Sequence, residues 1–261
     1  MTQTAIITGA SEGIGAELAR VFAEEGHELA LVARRKDRLD ALADEIAASG
    51  RPRPLVVELD LLEPDAVETL AKALADNGRV AHYLVNNAGF GLMGVAAELD
   101  SGEQLAMIDL NIRALTALTL RFLPQIIEQR GGILNVASVA AFMPGPGFAV
   151  YYATKAYVRS FSEALAEEVS ASGVKVTALC PGPVATGFQS RAGFDFSGAM
   201  AGMKPAMLPA AAVAREGYEA LLEERRVVVP GIVNNLLIWA ARLTPRFILM
   251  PLLFVVQRRR G

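Results

Sequence analysis

The sequence has few of the residues that hold metal ions or form disulfides. Cys180 is its only cysteine, and His27 and His82 are its only histidines among 261 residues. One cysteine excludes an internal disulfide, and so small a set does not make a zinc site of cysteine and histidine ligands. We therefore expect chemistry that uses no bound metal.

The sequence also lacks a strong net charge and a long uninterrupted apolar run. Its net charge is −3, which argues against nucleic acid as the main partner. The apolar stretches 227–241 and 247–256 are each shorter than the roughly 20 residues that span a bilayer. The chain opens on a strand-like run and not on a basic leader, so we expect a cytoplasmic protein.

Short β-branched apolar runs alternate with amphipathic segments. The runs predict strands near 6–8, 29–33, 54–59, 83–86, 133–137, 175–179 and 226–229, and the segments predict helices near 13–25, 36–48, 64–75, 104–129 and 150–170. We expect the helix over 104–129 to bend or end near Pro124. Strands that alternate with helices indicate a parallel sheet that is buried on both faces. The prediction is a single-domain, Rossmann-like, doubly wound α/β fold of about seven strands, with helices on both faces.

Two segments depart from this rhythm. A catalytic domain over 1–231 would include a lid at about 187–208, which is rich in Gly, Ala, Met and Phe. An apolar and basic extension follows over 232–261. The extension could dock on its own domain, form a contact in a homo-oligomer, or lie on a membrane surface with Arg258, Arg259 and Arg260 against the headgroups. Packing or oligomer formation is the favoured alternative.

A glycine-rich turn, Thr8-Gly9-Ala10-Ser11-Glu12-Gly13-Ile14-Gly15, follows the first predicted strand. Glycines let backbone N–H groups approach a pyrophosphate closely, and a helix N-terminus favours an anion. The spacing differs from Gly-x-Gly-x-x-Gly, and a purely structural turn is the alternative. The turn predicts a dinucleotide site that includes Gly9, Ser11, Gly13, Ile14 and Gly15.

The residues after the second predicted strand indicate which dinucleotide binds. An acidic residue there would bind the ribose hydroxyls of NAD, but Arg34 and Arg35 stand there instead. A guanidinium can pair with a 2′-phosphate. NADP(H) is therefore favoured as the cofactor, with NAD(H) as the alternative. The two arginines could instead be a solvated basic start to the next helix.

A hydroxyl, a phenol and an amine follow in the middle of the chain. Tyr151 and Lys155 are four residues apart and would share a helix face, and Ser138 follows the fifth predicted strand. An ammonium beside a phenol would lower the phenol's pKa, so that Tyr151 could act as a general acid or base. The Ser138 hydroxyl could hold a substrate oxygen against it.

With these motifs in the same order, the chain resembles the short-chain dehydrogenase/reductase family. The matching stretches are Thr8–Gly15, Asn86-Asn87-Ala88-Gly89, Asn111, Ser138, Tyr151–Lys155 and Pro181-Gly182-Pro183-Val184-Ala185-Thr186. They cover about three-quarters of the chain. The resemblance implies that Tyr151 is the proton donor, that Lys155 also holds the nicotinamide ribose, and that Asn111 orders a proton path.

The resemblance also implies further cofactor contacts. Asp60 and Leu61 would contact adenine, Asn87, Ala88 and Gly89 would line the adenosine side, and Pro181, Gly182, Val184 and Thr186 would surround the nicotinamide. Turn or cap roles are the alternatives for Asn86, Asn87 and Thr186, and a solvent-facing position is the alternative for Asn111. Many NADP-preferring members carry a basic residue at the position of Glu12, where an acid would repel a 2′-phosphate.

The residues that would face a substrate are apolar. They include Phe90, Leu92, Met93, Phe142, Met143, Pro144 and Phe148, and in the expected lid Phe188, Phe194, Phe196, Met200 and Met203. We therefore expect an NADP(H)-dependent oxidoreductase that interconverts a carbonyl and a secondary alcohol on a small apolar substrate. A 3-oxoacyl-thioester reductase is one alternative. A non-catalytic dinucleotide-sensing or scaffold protein is another.

Overall fold

The computed structural model describes residues 2–184 and 207–258, and within its last helix it describes side chains as far as Val255. The strands are β1 Thr2–Thr8, β2 Glu28–Ala33, β3 Leu55–Glu58, β4 Arg79–Asn86, β5 Gly132–Val136, β6 Lys175–Leu179 and β7 Val227–Val228. The α-helices are α1 Gly13–Glu24, α2 Lys36–Ala48, α3 Ala66–Asp76, α4 Ser101–Ile108, α5 Leu115–Gln129, α6 Ala149–Glu168, α7 Ala210–Leu222, α8 Ile232–Leu243 and α9 Arg246–Arg258.

All seven strands form one parallel sheet in the order β3-β2-β1-β4-β5-β6-β7. The chain moves outward from β1 to β3 and then crosses back to place β4 on the other side of β1. This reversal is the topological switch point of a doubly wound sheet, where ligands bind beside the carboxyl ends of the strands. The predicted Rossmann-like α/β fold of about seven strands is confirmed.

Alternate residues of the central strands supply two separate cores. In β1, Ala5 and Ile7 pack into one core and Ile6 packs into the other. In β2, Leu31 and Val32 divide in the same way. Because neighbouring side chains in a strand point to opposite faces and helices cover both faces, the buried middle of each of these strands is apolar at successive positions.

The long helix predicted over 104–129 is interrupted, but not at Pro124. A π-helical turn over Asp109–Ala114 separates α4 from α5, and α5 continues through Pro124 to Gln129. The prediction that the helix ends near Pro124 is wrong. Proline leaves only the carbonyl four residues earlier without its donor, and that residue, Leu120, lies on the exposed side of the helix.

The predicted lid at 187–208 lies outside the described residues, except for Met207 and Leu208. Leu208 pairs with Val184 in a short parallel bridge. The extension after Gly231 forms α8 and α9, and α8 contacts the 3-10 turn Val139–Phe142 beside the carboxyl edge of the sheet. Among the described residues, no helix is long and apolar enough to cross a membrane.

Candidate active site

A cavity of about 1030 Å³ lies along the carboxyl edge of the sheet. It passes over the ends of β1, β2 and β4 on one side and over the ends of β5 and β6 on the other. Nearly all of the residues predicted for the site line it together. They are Gly9, Ser11, Gly13, Ile14, Arg34, Arg35, Asp60, Leu61, Asn87, Ala88, Gly89, Ser138, Tyr151, Lys155, Pro181, Gly182 and Val184.

The other predicted site residues lie elsewhere. Gly15 stands behind the glycine-rich loop, and Asn111 is buried beneath the cavity. Thr186 lies outside the described residues, so its predicted contact stays a prediction.

The glycine-rich loop packs directly against the end of β4. Gly9 has φ +65°, a left-handed backbone that favours glycine. A Cβ on Gly15 would lie 2.3 Å from the Gly9 oxygen and 2.4 Å from Asn87 Nδ2. Asn87 Nδ2 fills this space and donates to the carbonyls of Thr8 and Gly9 at 2.9 and 3.2 Å. Asn87 therefore shapes the loop and is not a simple turn residue.

Thr8 is a contributor that the sequence analysis did not single out. Its buried hydroxyl donates to the Val85 carbonyl at 3.1 Å and accepts from the backbone N–H groups of Asn87 and Ala88 at 3.0 and 3.1 Å. This hydroxyl joins the ends of β1 and β4, so it fixes the glycine-rich loop against the end of β4 on the same side of the cavity. The available signal was a threonine at the end of an apolar strand, in front of the glycines.

Arginines surround the end of β2. Arg35 Nη2 lies 2.8 Å from both Ser11 Oγ and Glu12 Oε1, and Arg38 Nη1 lies 3.0 Å from Glu12 Oε2. Arg34 Nη1 lies 3.5 Å from Asp60 Oδ2. The hydrogen bond from Arg35 is the main cause that lowers the pKa of Glu12, with a further contribution from Arg38, so the carboxylate stays ionised at neutral pH. Glu12 thus occupies two of the guanidinium groups that could bind a phosphate.

Helix α6 presents the predicted catalytic side chains on its buried stripe. Tyr151, Lys155, Val158, Ser162 and Leu165 are all buried, at intervals of three or four residues. This spacing keeps one face of a helix against the sheet. Tyr151 and Lys155 are therefore held by the packing of a 20-residue helix and not by a loop.

Ser138, Tyr151 and Lys155 meet at the end of β5. The Ser138 hydroxyl hydrogen-bonds the Tyr151 phenol, and Phe148 stacks on the phenol ring with centroids 4.4 Å apart. Lys155 Nζ donates to the Val136 carbonyl at 2.9 Å and lies 5.8 Å from the centre of the Tyr151 ring. The structure brings these three residues together as the sequence pattern predicts.

The protonation of the pair differs from the sequence-based expectation. Burial raises the pKa of the Tyr151 phenol, although its hydrogen bond to Ser138 acts in the opposite direction. Burial also lowers the pKa of the Lys155 ammonium to about 8. The expected lowering of the phenol's pKa is therefore wrong for this geometry: the net shift is upward, because the desolvation of the phenol dominates. A neutral phenol at pH 7 is suited to donate a proton.

Asn111 is tied to the floor of the site. It belongs to the π-helical turn, and its Nδ2 donates to the Phe90 carbonyl at 2.9 Å and to Thr154 Oγ1 at 3.1 Å. Its Oδ1 accepts from the Phe90 N–H at 3.1 Å. A Cβ on Gly89 would lie 2.9 Å from Asn111 Oδ1 and 3.5 Å from Lys155 Nζ. The solvent-facing alternative for Asn111 is wrong, since only 1% of the residue is exposed.

Apolar side chains line the part of the cavity beside Tyr151. Met143 and Phe148 line it as predicted, while Phe90 packs with Phe148 and Tyr151 in a buried cluster against which Leu92 and Met93 lie. Phe142 lies beneath the guanidinium of Arg159, which is 4.5 Å from its ring centre. The expected lid residues Phe188, Phe194, Phe196, Met200 and Met203 lie outside the described residues.

The C-terminal helices supply a cavity wall that the sequence analysis did not place. The wall consists of Asn234, Leu237, Ile238, Ala240, Ala241, Thr244, Leu249, Leu252 and Leu253. Asn234 is buried and donates to the Pro230 carbonyl at 2.7 Å, and it fills the space of the missing Gly182 side chain, where a Cβ would lie 2.3 Å from its Oδ1. This contact fixes α8 against the Pro181-Gly182 turn. A buried asparagine within an apolar helix was the available signal.

Known proteins share both this sequence and this architecture. The family described as short chain dehydrogenase matches residues 3–194. Serine 3-dehydrogenase from Agrobacterium fabrum is 38% identical over 189 residues, which cover 72% of this chain and 74% of that protein. An NADP-dependent 3-hydroxy acid dehydrogenase from Salmonella typhi is 39% identical over 181 residues, which cover 69% of this chain and 71% of that protein.

A solved structure agrees with these relatives. A short-chain dehydrogenase from Sphingobium yanoikuyae in complex with NADPH has a TM-score of 0.80 and 30% identity, and the match covers 94% of this chain and 97% of that one. The family match spans the glycine-rich loop and the Ser138, Tyr151 and Lys155 cluster. The chain belongs to the short-chain dehydrogenase/reductase family and is an oxidoreductase of CH–OH and C=O groups.

Proposed function

We propose that this protein is an NADP(H)-dependent oxidoreductase that interconverts a carbonyl and a secondary alcohol on a small apolar substrate. The observation that carries the proposal is the position of the Ser138, Tyr151 and Lys155 cluster inside a cavity with an apolar wall from α8 and α9. Family membership gives the general reaction, and the proposal adds NADP(H) as the cofactor, a role for each polar side chain and an apolar substrate.

The residues of the cavity fit a dinucleotide. The close contact between Gly9, Gly15 and Asn87 leaves no space for a Cβ at either glycine, and such a loop lets a pyrophosphate approach the backbone and the N-terminus of α1. Arg34 and Arg35, with Arg38 beside them, supply positive charge where a 2′-phosphate would lie. The NADPH complex and the NADP-dependent relative support the same preference. NAD(H) stays the alternative cofactor, because the Glu12 carboxylate pairs with Arg35 and Arg38 and would repel a 2′-phosphate.

Each polar group has one role in the proposed reaction. When bound, the nicotinamide supplies or accepts the hydride. Tyr151 donates a proton to the substrate oxygen in reduction, and Ser138 holds that oxygen through its hydroxyl. Lys155, which is 95% buried and donates to the Val136 carbonyl, carries the positive charge that stabilises a phenolate after proton transfer. Asn111 positions the floor through Phe90 and Thr154.

The apolar class of substrate rests on the C-terminal wall. Leu237, Ile238, Leu249, Leu252 and Leu253 line the cavity, and all of them lie beyond residue 194, where the family match ends. The substrates named for the serine and hydroxy acid relatives therefore do not transfer to this chain. A wall of this kind stabilises apolar ligands, and its described residues offer no charged partner to a carboxylate.

Turnover of NADPH and NADH across matched carbonyl substrates tests the proposal. The panel contains apolar ketones and aldehydes, 3-oxoacyl thioesters, and the oxidised forms of serine and 3-hydroxy acids. We expect faster turnover with NADPH and with the apolar ketones. Preference for the acids would contradict the apolar assignment, and preference for the thioesters would support the fatty-acid type of reductase. Tight NADPH binding without turnover of any substrate would favour the sensing or scaffold alternative.

A further inference from the structure

Helix α8 is apolar on two opposite faces. Its inner face places Asn234, Ile238 and Ala241 at the cavity. Its outer face carries Ile232, Leu236, Trp239 and Leu243 at intervals of four, three and four residues, and these side chains are 80, 62, 61 and 78% exposed. Large exposed apolar patches normally mark interaction sites. The outer face of α8 is therefore a surface that we expect a binding partner to cover in the functional protein.

Helix α9 continues this surface. Phe247, Ile248, Leu252 and Val255 are exposed, whereas Leu249 is buried against the rest of the protein. Together with the outer face of α8 they form a patch, which we call the C-terminal apolar surface. No other pair of consecutive described helices exposes as many large apolar side chains, so the surface is a local feature and not a general property of the fold.

The charged residues of the C-terminal segment that forms this surface all have the same sign. Seven arginines and no aspartate or glutamate follow Glu224, although the whole chain has a net charge of −3. Arg225 and Arg226 are paired with Glu223 and Glu167. Arg242 and Arg246 are exposed and form no ion pair with the described residues, and the guanidinium of Arg242 lies 5.5 Å from the Phe142 ring centre.

This charge distribution decides between two occupants of the surface. In a symmetric dimer the same patch lies on both subunits, so one interface would hold Arg242 and Arg246 of both subunits, and residues 225–261 contain no acidic side chain to compensate them. An anionic bilayer offers the opposite sign, and it offers an apolar layer beneath its headgroups. Amphipathic helices with arginines and a tryptophan beside apolar side chains bind such interfaces.

We propose that the C-terminal apolar surface docks on an anionic lipid bilayer, with Arg242 and Arg246 at the headgroups and the outer face of α8 in the interface. Leu237 and Leu252 both line the cavity and remain 49 and 57% exposed. The cavity therefore opens at the docking surface. If the proposed apolar substrate is correct, it reaches Tyr151 from the lipid, but the docking itself does not depend on the reaction.

Trp239 makes the docking directly measurable, because it is the only tryptophan in the chain. The full chain is titrated with vesicles of phosphatidylcholine mixed with phosphatidylglycerol, and with vesicles of phosphatidylcholine alone. We expect a blue shift of the tryptophan emission and quenching by brominated acyl chains with the anionic vesicles. The binding should weaken as salt is added. Absence of a blue shift, or equal binding to both kinds of vesicle, overturns the proposal.

Two variants separate the apolar and the charged contributions. Leu243→Glu should lower binding to anionic vesicles by roughly tenfold or more, whereas the matched control Leu105→Glu, on α4 with 61% exposure, should leave it unchanged. Arg242→Gln combined with Arg246→Gln should lower binding by roughly 20-fold at low salt. Neither Leu243 nor the two arginines line the cavity, so NADPH binding serves as a check on folding.

Light scattering after size-exclusion chromatography tests the competing occupant. The proposal predicts that Leu243→Glu leaves the oligomeric state of the lipid-free protein unchanged. The opposite result is a wild-type oligomer that does not bind vesicles and that dissociates when Leu243 is replaced by Glu. It would show that a second copy covers the surface, and it would overturn the proposal.

Discussion

Glu12 offers a sharp test of how the protein selects its cofactor. Its carboxylate holds Arg35 at 2.8 Å and Arg38 at 3.0 Å, beside the position expected for a 2′-phosphate. Glu12→Gln keeps the shape of the side chain but removes the charge. Since Glu12 makes no side-chain cap for α1, the substitution should leave the helix intact. We expect NADPH to bind more tightly, because both guanidinium groups become available and one repulsive charge is lost.

The size of this effect follows from the exposure of the groups. A pair of unit charges about 4 Å apart is worth about 1 kcal/mol in water, and the phosphate carries up to about two charges at neutral pH. The three side chains are 40–51% exposed, so screening limits the gain to about 1–2 kcal/mol. This gain corresponds to a roughly 5- to 30-fold lower Kd for NADPH, while the Kd for NADH should change by less than about twofold because NADH lacks the phosphate.

Fluorescence titration of both cofactors measures the effect. Glu17→Gln is the matched control, since Glu17 pairs with Arg20 on the same helix but does not line the cavity. A weaker binding of NADPH in Glu12→Gln, or an equal gain for NADPH and NADH, would refute the assignment of the arginines to the 2′-phosphate.

Two further predictions follow from the geometry of the site. Gly15→Ala places a methyl group 2.3 Å from the Gly9 oxygen, so chemical denaturation should give a free energy of unfolding lower by about 1–3 kcal/mol; unchanged stability would contradict the close packing of the loop. Burial lowers the pKa of Lys155 to about 8, so its ammonium is present below that pH and lost above it. The rate of carbonyl reduction should therefore fall as the pH rises through about 8. Lys155→Arg should remove this fall, because a guanidinium stays protonated. A wild-type pH profile without the fall would contradict the role of the charge.

The sequence was sufficient for the sheet and for the central residues of the site. Strands buried on both faces are apolar at successive positions, as Ile6 and Ile7 show, and such strands are typical of a parallel sheet that helices cover on both sides. Tyr151 and Lys155 could be placed together because their spacing alone puts them on one face of a helix. Their distance to Ser138 follows once the strand order is known.

Other features depend on contacts that no local pattern contains. The π-helical turn at 109–114 forms where Asn111 reaches the Phe90 backbone, and Pro124 misled the prediction because its lost hydrogen bond falls at an exposed position. The raised pKa of Tyr151 comes from its burial, which neither its neighbours nor its spacing reveals. The docking of α8 on Gly182 through Asn234 joins residues that lie far apart in the sequence.

The most direct test of the proposed chemistry is the rate of NADPH-dependent carbonyl reduction in Tyr151→Phe, compared with Tyr157→Phe. Tyr157 lies on the same helix, but its hydroxyl contacts Thr116 at 2.8 Å and it does not line the cavity. We predict that Tyr151→Phe binds NADPH normally and loses roughly 100- to 10,000-fold in rate, whereas Tyr157→Phe retains it. A Tyr151→Phe variant that reduces its substrate at nearly the wild-type rate would contradict the role of the phenol as proton donor.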